Sequence, residues 1–270
     1  MAGLLRDIRR LNALSHTALA EPFAGGAGAS LKLLYLEETH RIHINDADPA
    51  IYDFWHSVVN RPEPFLDMLS RTRASMAEWE RQKAAYMSTT RLSQLRRGFA
   101  AFYLNRCNRS GIIVNGGPIG GVKQTGKWKI GARFNKNKLA ERCSRLAEYQ
   151  DRIQISCEDG LHFIDGLNVN EAFFFIDPPY FEKGPTLYLN GLDIAYHTSL
   201  AERLRQMGDA AWVLTYDDCP QIRRMYRGWA RVRPFSIRYT AARRRSGNEV
   251  MITPLWMRLP TAQASLSVDW

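Results

Sequence analysis

Short apolar runs alternate along this chain with longer stretches whose apolar residues recur every three or four positions. Ala18 to Phe23 is a short, largely apolar run followed by Gly25-Gly26-Ala27-Gly28. Leu31, Leu33, Leu34 and Leu36 then continue as a helix, and Ile42 to Ile44 forms a second β-like run ending at Asn45-Asp46. The pattern predicts strand, glycine turn, helix, strand and acid, which is one βαβ unit. Much later, Phe173-Phe174-Phe175-Ile176 is apolar on both faces, as a central strand of a parallel sheet would be, and it stops at Asp177-Pro178-Pro179-Tyr180. His197 to Met207 reads as a helix and Trp212 to Thr215 as a strand. Val232 to Tyr239 and Glu249 to Trp256 read as a hairpin with Arg243, Arg244 and Arg245 near its tip.

Between these two halves the period changes. Residues 50–60 read as a helix, and Pro62 and Pro64 punctuate the chain. Phe65 to about Tyr103 is helical in pattern, with Leu92, Leu95, Phe99 and Phe102 on one buried face. Gly, Asn and Lys dominate residues 108–135, a loop or hairpin, and a helix resumes from Lys138 to Tyr149. The expected architecture is an α/β core from residues 1–55 and 151–270, interrupted by a largely helical insert over 56–150.

Composition adds a charge map to this outline. With 45% hydrophobic and 24% charged residues among 270, the chain is neither disordered, collagenous nor a disulfide scaffold. The net charge of +10 is unevenly placed. Residues 91–145 hold 13 Lys and Arg against one acid, Glu141, and residues 219–248 hold nine Arg and no acid. The remainder carries 15 basic and 26 acidic residues. An acidic body with two basic segments fits a protein that grips a phosphate backbone. No run reaches the ~20 apolar residues of a membrane span. The four cysteines are dispersed without a CxxC pair, and the six histidines show no paired ligand spacing. A reduced, cytoplasmic setting without a metal site is expected.

Two motifs carry chemistry. The glycine turn lets backbone bend tightly and a ligand approach closely, and Asp46 lies 18 positions after Gly28, where nucleotide folds keep a ribose-binding acid. Asp177-Pro178-Pro179-Tyr180 sets a carboxylate, proline-restrained carbonyls and an aromatic ring at the carboxyl edge of a sheet. Such acceptors beside a ring suit a planar group bearing an exocyclic amine. Gly121 to Lys127 imitates a phosphate-binding loop, but Trp128 stands where a Mg²⁺-binding hydroxyl belongs, so nucleoside triphosphate hydrolysis is rejected.

Glu21-Pro22-Phe23-Ala24-Gly25-Gly26, Asn45-Asp46, a basic insert containing Phe102-Tyr103-Leu104-Asn105-Arg106, and then Asp177-Pro178-Pro179-Tyr180 follow one another in this order. Lys183-Gly184, Leu187-Tyr188, His197 to Leu204 and Asn248 to Ile252 extend the pattern. From residue 20 to 255 this resembles the DNA adenine methylase family, the amino-N6 methyltransferases of the D12 class. Ala27 stands where many members have glycine, and the aromatic-Ala-Gly-Gly-Lys motif with which members usually begin is not found before Glu21.

The resemblance implies a Rossmann-like S-adenosylmethionine-dependent methyltransferase core with a target-recognition insert. It implies S-adenosyl-L-methionine as cofactor and double-stranded DNA as partner. Pro22, Phe23, Ala24, Gly25, Gly26 and Gly28 would line the cofactor, Asp46 its ribose and Asp159 its adenine. Asp177 and Pro178, with Pro179 shaping the turn, would accept hydrogen bonds from the target N6, with Asp177 also beside the cofactor. Tyr180 would stack on the flipped base. Asn105, Arg106, Arg109, Lys123, Lys127, Lys129 and Arg133 of the insert, with Arg243, Arg244 and Arg245, would contact DNA. Phosphate contacts carry no sequence information, so little sequence preference is expected. Cytosine-N4 or RNA methylation and a catalytically decayed nucleic-acid binder remain alternatives. Restriction-modification, phage and housekeeping settings stay open.

Overall fold

The computed structural model describes residues 1–88, 90, 92–181, 192–235 and 249–261 of the chain. Seven strands form one sheet: β1 (Ala18–Glu21), β2 (Ile42–Asn45), β3 (Ile153–Ser156), β4 (Ala172–Ile176), β5 (Ala211–Asp217), β6 (Ala230–Phe235) and β7 (Glu249–Pro254). Their order is β3-β2-β1-β4-β5-β7-β6. β2, β1, β4 and β5 are parallel, while β7 runs antiparallel between β5 and β6. This mixed α/β sheet is consistent with an S-adenosylmethionine-dependent methyltransferase fold.

The chain leaves β1 in one direction for β2 and returns on its other side as β4, with Ala18 opposite Ala172 and Ala20 opposite Phe174. That reversal is the switch point at which open α/β sheets bind ligands, outside the carboxyl ends of the strands. All five residues of β4 and all seven of β5 are buried, as their continuous apolar runs require. One face of the sheet packs Phe174, Ile176, Trp212 and Leu214 with Leu200 and Ile222.

Ten α-helices accompany the strands among the described residues. α1 (Ala2–Leu11), α2 (Gly28–Tyr35), α8 (Gly160–Asp165), α9 (Ile194–Gln206) and α10 (Pro220–Tyr226) belong to the first of two compact units, residues 1–46 and the described residues from Glu158 onward. α3 (Pro49–Asn60), α4 (Pro62–Arg71), α5 (Met76–Tyr86), α6 (Gln94–Cys107) and α7 (Lys136–Ala147) belong to the second, Ala47–Cys157. The division falls at Asp46/Ala47 and Cys157/Glu158, so α3 and β3 go with the helical unit.

The continuous helical pattern expected from Phe65 to Tyr103 is three helices. Ser75 and Ser93 break it, each accepting a backbone N–H (Glu78 and Arg96) as the N-cap of α5 or α6. Of the expected buried face, Phe99 and Phe102 of α6 are buried. Leu92 and Leu95 are half-buried, whereas Phe99 and Tyr103 are fully enclosed, together with Phe65 of α4. A Cβ added at Gly98 would lie 2.4 Å from backbone atoms of Asp53 and Phe54, so α3 and α6 cross in backbone contact there. Residues 108–135 contain no strand. They are turns and 3-10 segments with one bridge, Asn108 to Pro118. The tip of the late hairpin, including Arg243, Arg244 and Arg245, lies outside the described residues.

Among the described residues no helix is long and apolar enough to cross a membrane, and no group of three or more His, Cys, Asp or Glu could hold a metal ion.

Candidate active site

The carboxyl end of β1 delivers Glu21-Pro22-Phe23 into the glycine turn. Gly25 has φ +48° and Ala27 φ +45°, a left-handed pair that bends the chain into α2. Pro22 and Ala24 are buried, Phe23, Gly25 and Gly28 half-buried, and Gly26 exposed. A Cβ added at Gly25 or Gly26 would meet nothing within 4 Å, so this backbone faces open space. Such a turn, with clear space before it, fits the close approach of a cofactor.

Three turns are tied together at this edge by Asn45, which is 1% exposed. Its Nδ2 donates to the Pro22 and Glu158 carbonyls, each at 2.9 Å, and its Oδ1 accepts the Glu158 N–H at 2.9 Å. Its own carbonyl accepts from the Ala24 N–H at 2.8 Å. Asp46, next along, accepts the Gly25 N–H at 2.9 Å. Asp159 is exposed and caps α8, accepting from the Leu161 N–H at 2.9 Å. The structure therefore brings the expected cofactor residues Pro22 to Gly28, Asp46 and Asp159 to one edge, with Asn45 as the link. Nearby, the Phe23 and Tyr196 rings meet edge-on at 6.4 Å. Gly160 is the residue that makes room, since a Cβ there would lie 2.5 Å from the Phe23 ring.

Asp177-Pro178-Pro179-Tyr180 leaves β4 beside this turn. The fully buried Thr215 of β5 donates its hydroxyl to Asp177 Oδ1 at 2.6 Å. Protein crowding pushes the Asp177 carboxyl up to about 6, aided by the Glu249 charge and opposed by the Thr215 hydrogen bond. Asp177 nevertheless keeps an exposed face, and solvent there limits the effect of the crowding. The Tyr180 hydroxyl donates to Glu249 Oε1 at 2.7 Å, and the Phe181 N–H donates to Asp217 Oδ1 at 3.0 Å. Under the glycine turn, burial pushes the Glu21 carboxyl up to about 7, against hydrogen bonds from Ser30 and with the Asp177 charge adding to the rise.

A carboxylate held by a hydroxyl, proline carbonyls that need not serve a ladder, and a tethered ring can together receive an amine on a flat base. Thr215, Asp217, Glu249 and Asn45 went unassigned in the sequence. Their signal was present: each is a buried polar residue at or inside a largely apolar strand.

The basic residues of the helical unit fall into two kinds. Arg109, Lys123, Lys127, Lys129 and Arg133 are exposed. Asn105 and Arg106 are half-buried. Asn105 donates to the Gly111 carbonyl at 3.0 Å, and Arg106 bonds to Asn105 Oδ1. Burial together with Arg133 and Arg142 pulls the Arg106 guanidinium down to about 10, so it is still charged at neutral pH. The pseudo-phosphate loop is closed internally by the Gln124 side chain, which donates to the Ile119 and Gly121 carbonyls at 2.7 Å and accepts the Ile130 N–H at 2.9 Å. No α-helix follows it. The loop carries Lys127 over the ring of Trp128, which is 66% exposed.

Among curated proteins none matches the chain. The family model of the D12 class N6 adenine-specific DNA methyltransferases matches residues 3–245, and the chain belongs to that family of DNA adenine-N6 methyltransferases.

Proposed function

We propose that this enzyme flips an adenine out of double-stranded DNA and methylates its N6 directly, with S-adenosyl-L-methionine held at the Gly25–Gly28 turn. The observation that carries this reading is the placement of the Asp177–Tyr180 turn and the glycine turn on adjacent central strands at the sheet's switch point. S-adenosyl-L-methionine supplies the methyl group on a sulfonium. Pro22, Phe23, Ala24, Gly25, Gly26 and Gly28 would line its site, with Asp46 holding its ribose hydroxyls and Asp159 its adenine.

The N6 lone pair of adenine is delocalised into the ring, which makes it a poor nucleophile. Asp177 and the Pro178 carbonyl would accept the two N6–H bonds, favour a more tetrahedral nitrogen and aim its lone pair at the methyl group that the cofactor would give up from its sulfur. Pro179 restrains the turn that aims these acceptors. With a carboxyl near 6, Asp177 is ionised at pH 7 and can still take the proton that the methylated nitrogen sheds. The protein contributes position and electrostatics, and forms no covalent bond to the base. Extruding the base costs a few kcal/mol, and stacking on Tyr180, about 1–3 kcal/mol, offsets much of it.

Asn105, Arg106, Arg109, Lys123, Lys127, Lys129 and Arg133, with Arg243, Arg244 and Arg245, supply phosphate contacts, so binding weakens steeply with salt. The test is incubation with methyl-labelled cofactor and unmethylated DNA or RNA, followed by digestion and mass spectrometry of the nucleosides. N6-methyladenine in duplex DNA is expected, with transfer abolished and DNA binding kept in Asp177→Ala. Label in N4-methylcytosine or RNA, or no label with salt-sensitive DNA binding intact, overturns the reading.

A further inference from the structure

We infer that Glu249 is a positioning residue for methyl transfer: through the Tyr180 hydroxyl it fixes the direction in which the ring under the flipped base extends. The inference depends on the proposed stacking role of Tyr180.

Glu249 opens β7 and is 2% exposed. β7 is an interior strand, and its first residue sits opposite Asp217 of β5 on one side and Phe235 of β6 on the other. The backbone that carries Glu249 is therefore held from both sides. The Tyr180 hydroxyl donates to its Oε1 at 2.7 Å. On the same rung, Asp217 is 5% exposed and accepts the Phe181 N–H at 3.0 Å. Two successive residues of the catalytic turn are thus pinned to one cross-strand pair, one by its side chain and the next by its backbone.

The geometry explains why this rung holds two carboxylates. Enclosed acids placed directly opposite each other repel, and a sheet gains nothing from such a pair by itself. Each is an acceptor-only group that receives a donor from the turn, and bonds to an ionised acceptor are stronger and shorter than neutral ones. A ring anchored only at Cβ can swing about its first torsion between staggered positions. A ring tied at both Cβ and Oη has its long axis, and so its place beside the Asp177 turn, set before the base arrives. The ring is only half-buried, so packing alone does not hold it. Stacking requires the ring in one place, and a preset position removes part of that ordering cost from the flipped complex.

The experiment measures single-turnover methylation of unmethylated duplex DNA, with separate binding of DNA and of S-adenosyl-L-methionine, in five variants of the full chain. Tyr180→Phe keeps the ring and loses the tie, and Glu249→Ala loses the tie from the other end. Each is expected to slow transfer about 10-fold, or about 1.4 kcal/mol, with both dissociation constants within about twofold of wild type. Tyr180→Phe/Glu249→Ala is expected to be no slower than either single variant, because one bond is lost in all three. Glu249→Gln keeps an acceptor and is expected to recover most of the rate lost in Glu249→Ala.

Multiplicative losses in the double variant, or a Tyr180→Phe rate within twofold of wild type, overturn the inference. Tyr180→Phe decides the matter even where Glu249→Ala fails to fold. Tyr180→Ala separates the two levels. If it abolishes transfer while Tyr180→Phe and Glu249→Ala do not slow it, only the tie is wrong. If Tyr180→Ala itself transfers normally, stacking on Tyr180 is wrong.

Discussion

Thr215→Val removes one hydroxyl and keeps a β-branched residue in a buried strand. The lost group donates to Asp177 Oδ1 at 2.6 Å. A hydrogen bond to a charged group stabilises it by about 1.5–3 kcal/mol, which is roughly one to two pKa units at 1.36 kcal/mol each. Because Asp177 keeps an exposed face, water replaces part of the lost bond, and the lower end applies. The carboxyl stands at about 6 in the native protein, so the variant moves it to roughly 7. If the ionised carboxylate accepts the N6–H, the ionised fraction at pH 7 falls from about nine-tenths to about one-half, and at pH 6 from about one-half to about one-tenth.

The expected result is a single-turnover rate lowered about twofold at pH 7 and about fivefold at pH 6, with the two proteins converging above pH 8.5. Thr215→Ser, which keeps the hydroxyl, should retain the native acid limb. The folded carboxyl lies above the value of 3.8 for a free aspartate, so its protonated form favours the fold. Stability from this group is lost as pH rises from about 4 to 6, and the variant extends that window to about 7. An unmoved acid limb, or a loss of rate equal at every pH, refutes the role assigned to this hydrogen bond.

Four further outcomes follow from the same structure. Glu21 is 4% exposed with its carboxyl raised from 4.5 to about 7, so folding loses roughly 3 kcal/mol as pH rises through that window. Glu21→Gln should flatten the fall in melting temperature between pH 5 and 8, and parallel melting curves for the two proteins would reject this. Asn45→Ala strands the Glu158 and Pro22 backbone groups, and is expected to cost about 2–4 kcal/mol of stability and to weaken cofactor binding at least tenfold by calorimetry; unchanged cofactor affinity counts against it. Gly160→Ala drives a methyl into the Phe23 ring at 2.5 Å and should weaken cofactor binding about tenfold with little loss of melting temperature; a native dissociation constant would show that Phe23 does not line the site. In Gly98→Ala the new methyl meets the α3 backbone at 2.4 Å, and thermal unfolding should show at least the ~1–3 kcal/mol typical of overpacking, whereas a native melting temperature would mean that α3 and α6 can part at no cost.

The strands of the core were legible because β4 and β5 are enclosed on both faces and their runs of Phe, Trp, Val and Leu have no other reading. The glycine turn and Asp177-Pro178-Pro179-Tyr180 were legible for a different reason: backbone chemistry there needs particular residue types. Helix boundaries in the insert were not. Ser75 and Ser93 break a continuous apolar pattern by capping, and a serine within such a pattern looks the same whether it caps or merely faces solvent. The partners of the Asp177–Tyr180 turn were hidden as well. Thr215 and Glu249 lie 38 and 69 positions from the residues they bond, and only the register of β5 and β7 brings them there.

The pairing of Ala18 with Ala172 has a consequence for how the chain folds. β1 and β4 are neighbours at the centre of the sheet, yet the whole helical unit is threaded between them. Closing a loop of about 150 residues costs entropy before the contacts inside it return anything. A helical unit with a compact set of contacts of its own, α3 on α6 foremost, can fold first and shorten that loop to the distance between its own two ends. During synthesis β1 also emerges well before its partner, with one flank exposed until β4 leaves the ribosome. The segment that the enzyme is proposed to use for holding DNA would then serve, earlier in the life of the chain, as the element that brings the two halves of the active site within reach of each other.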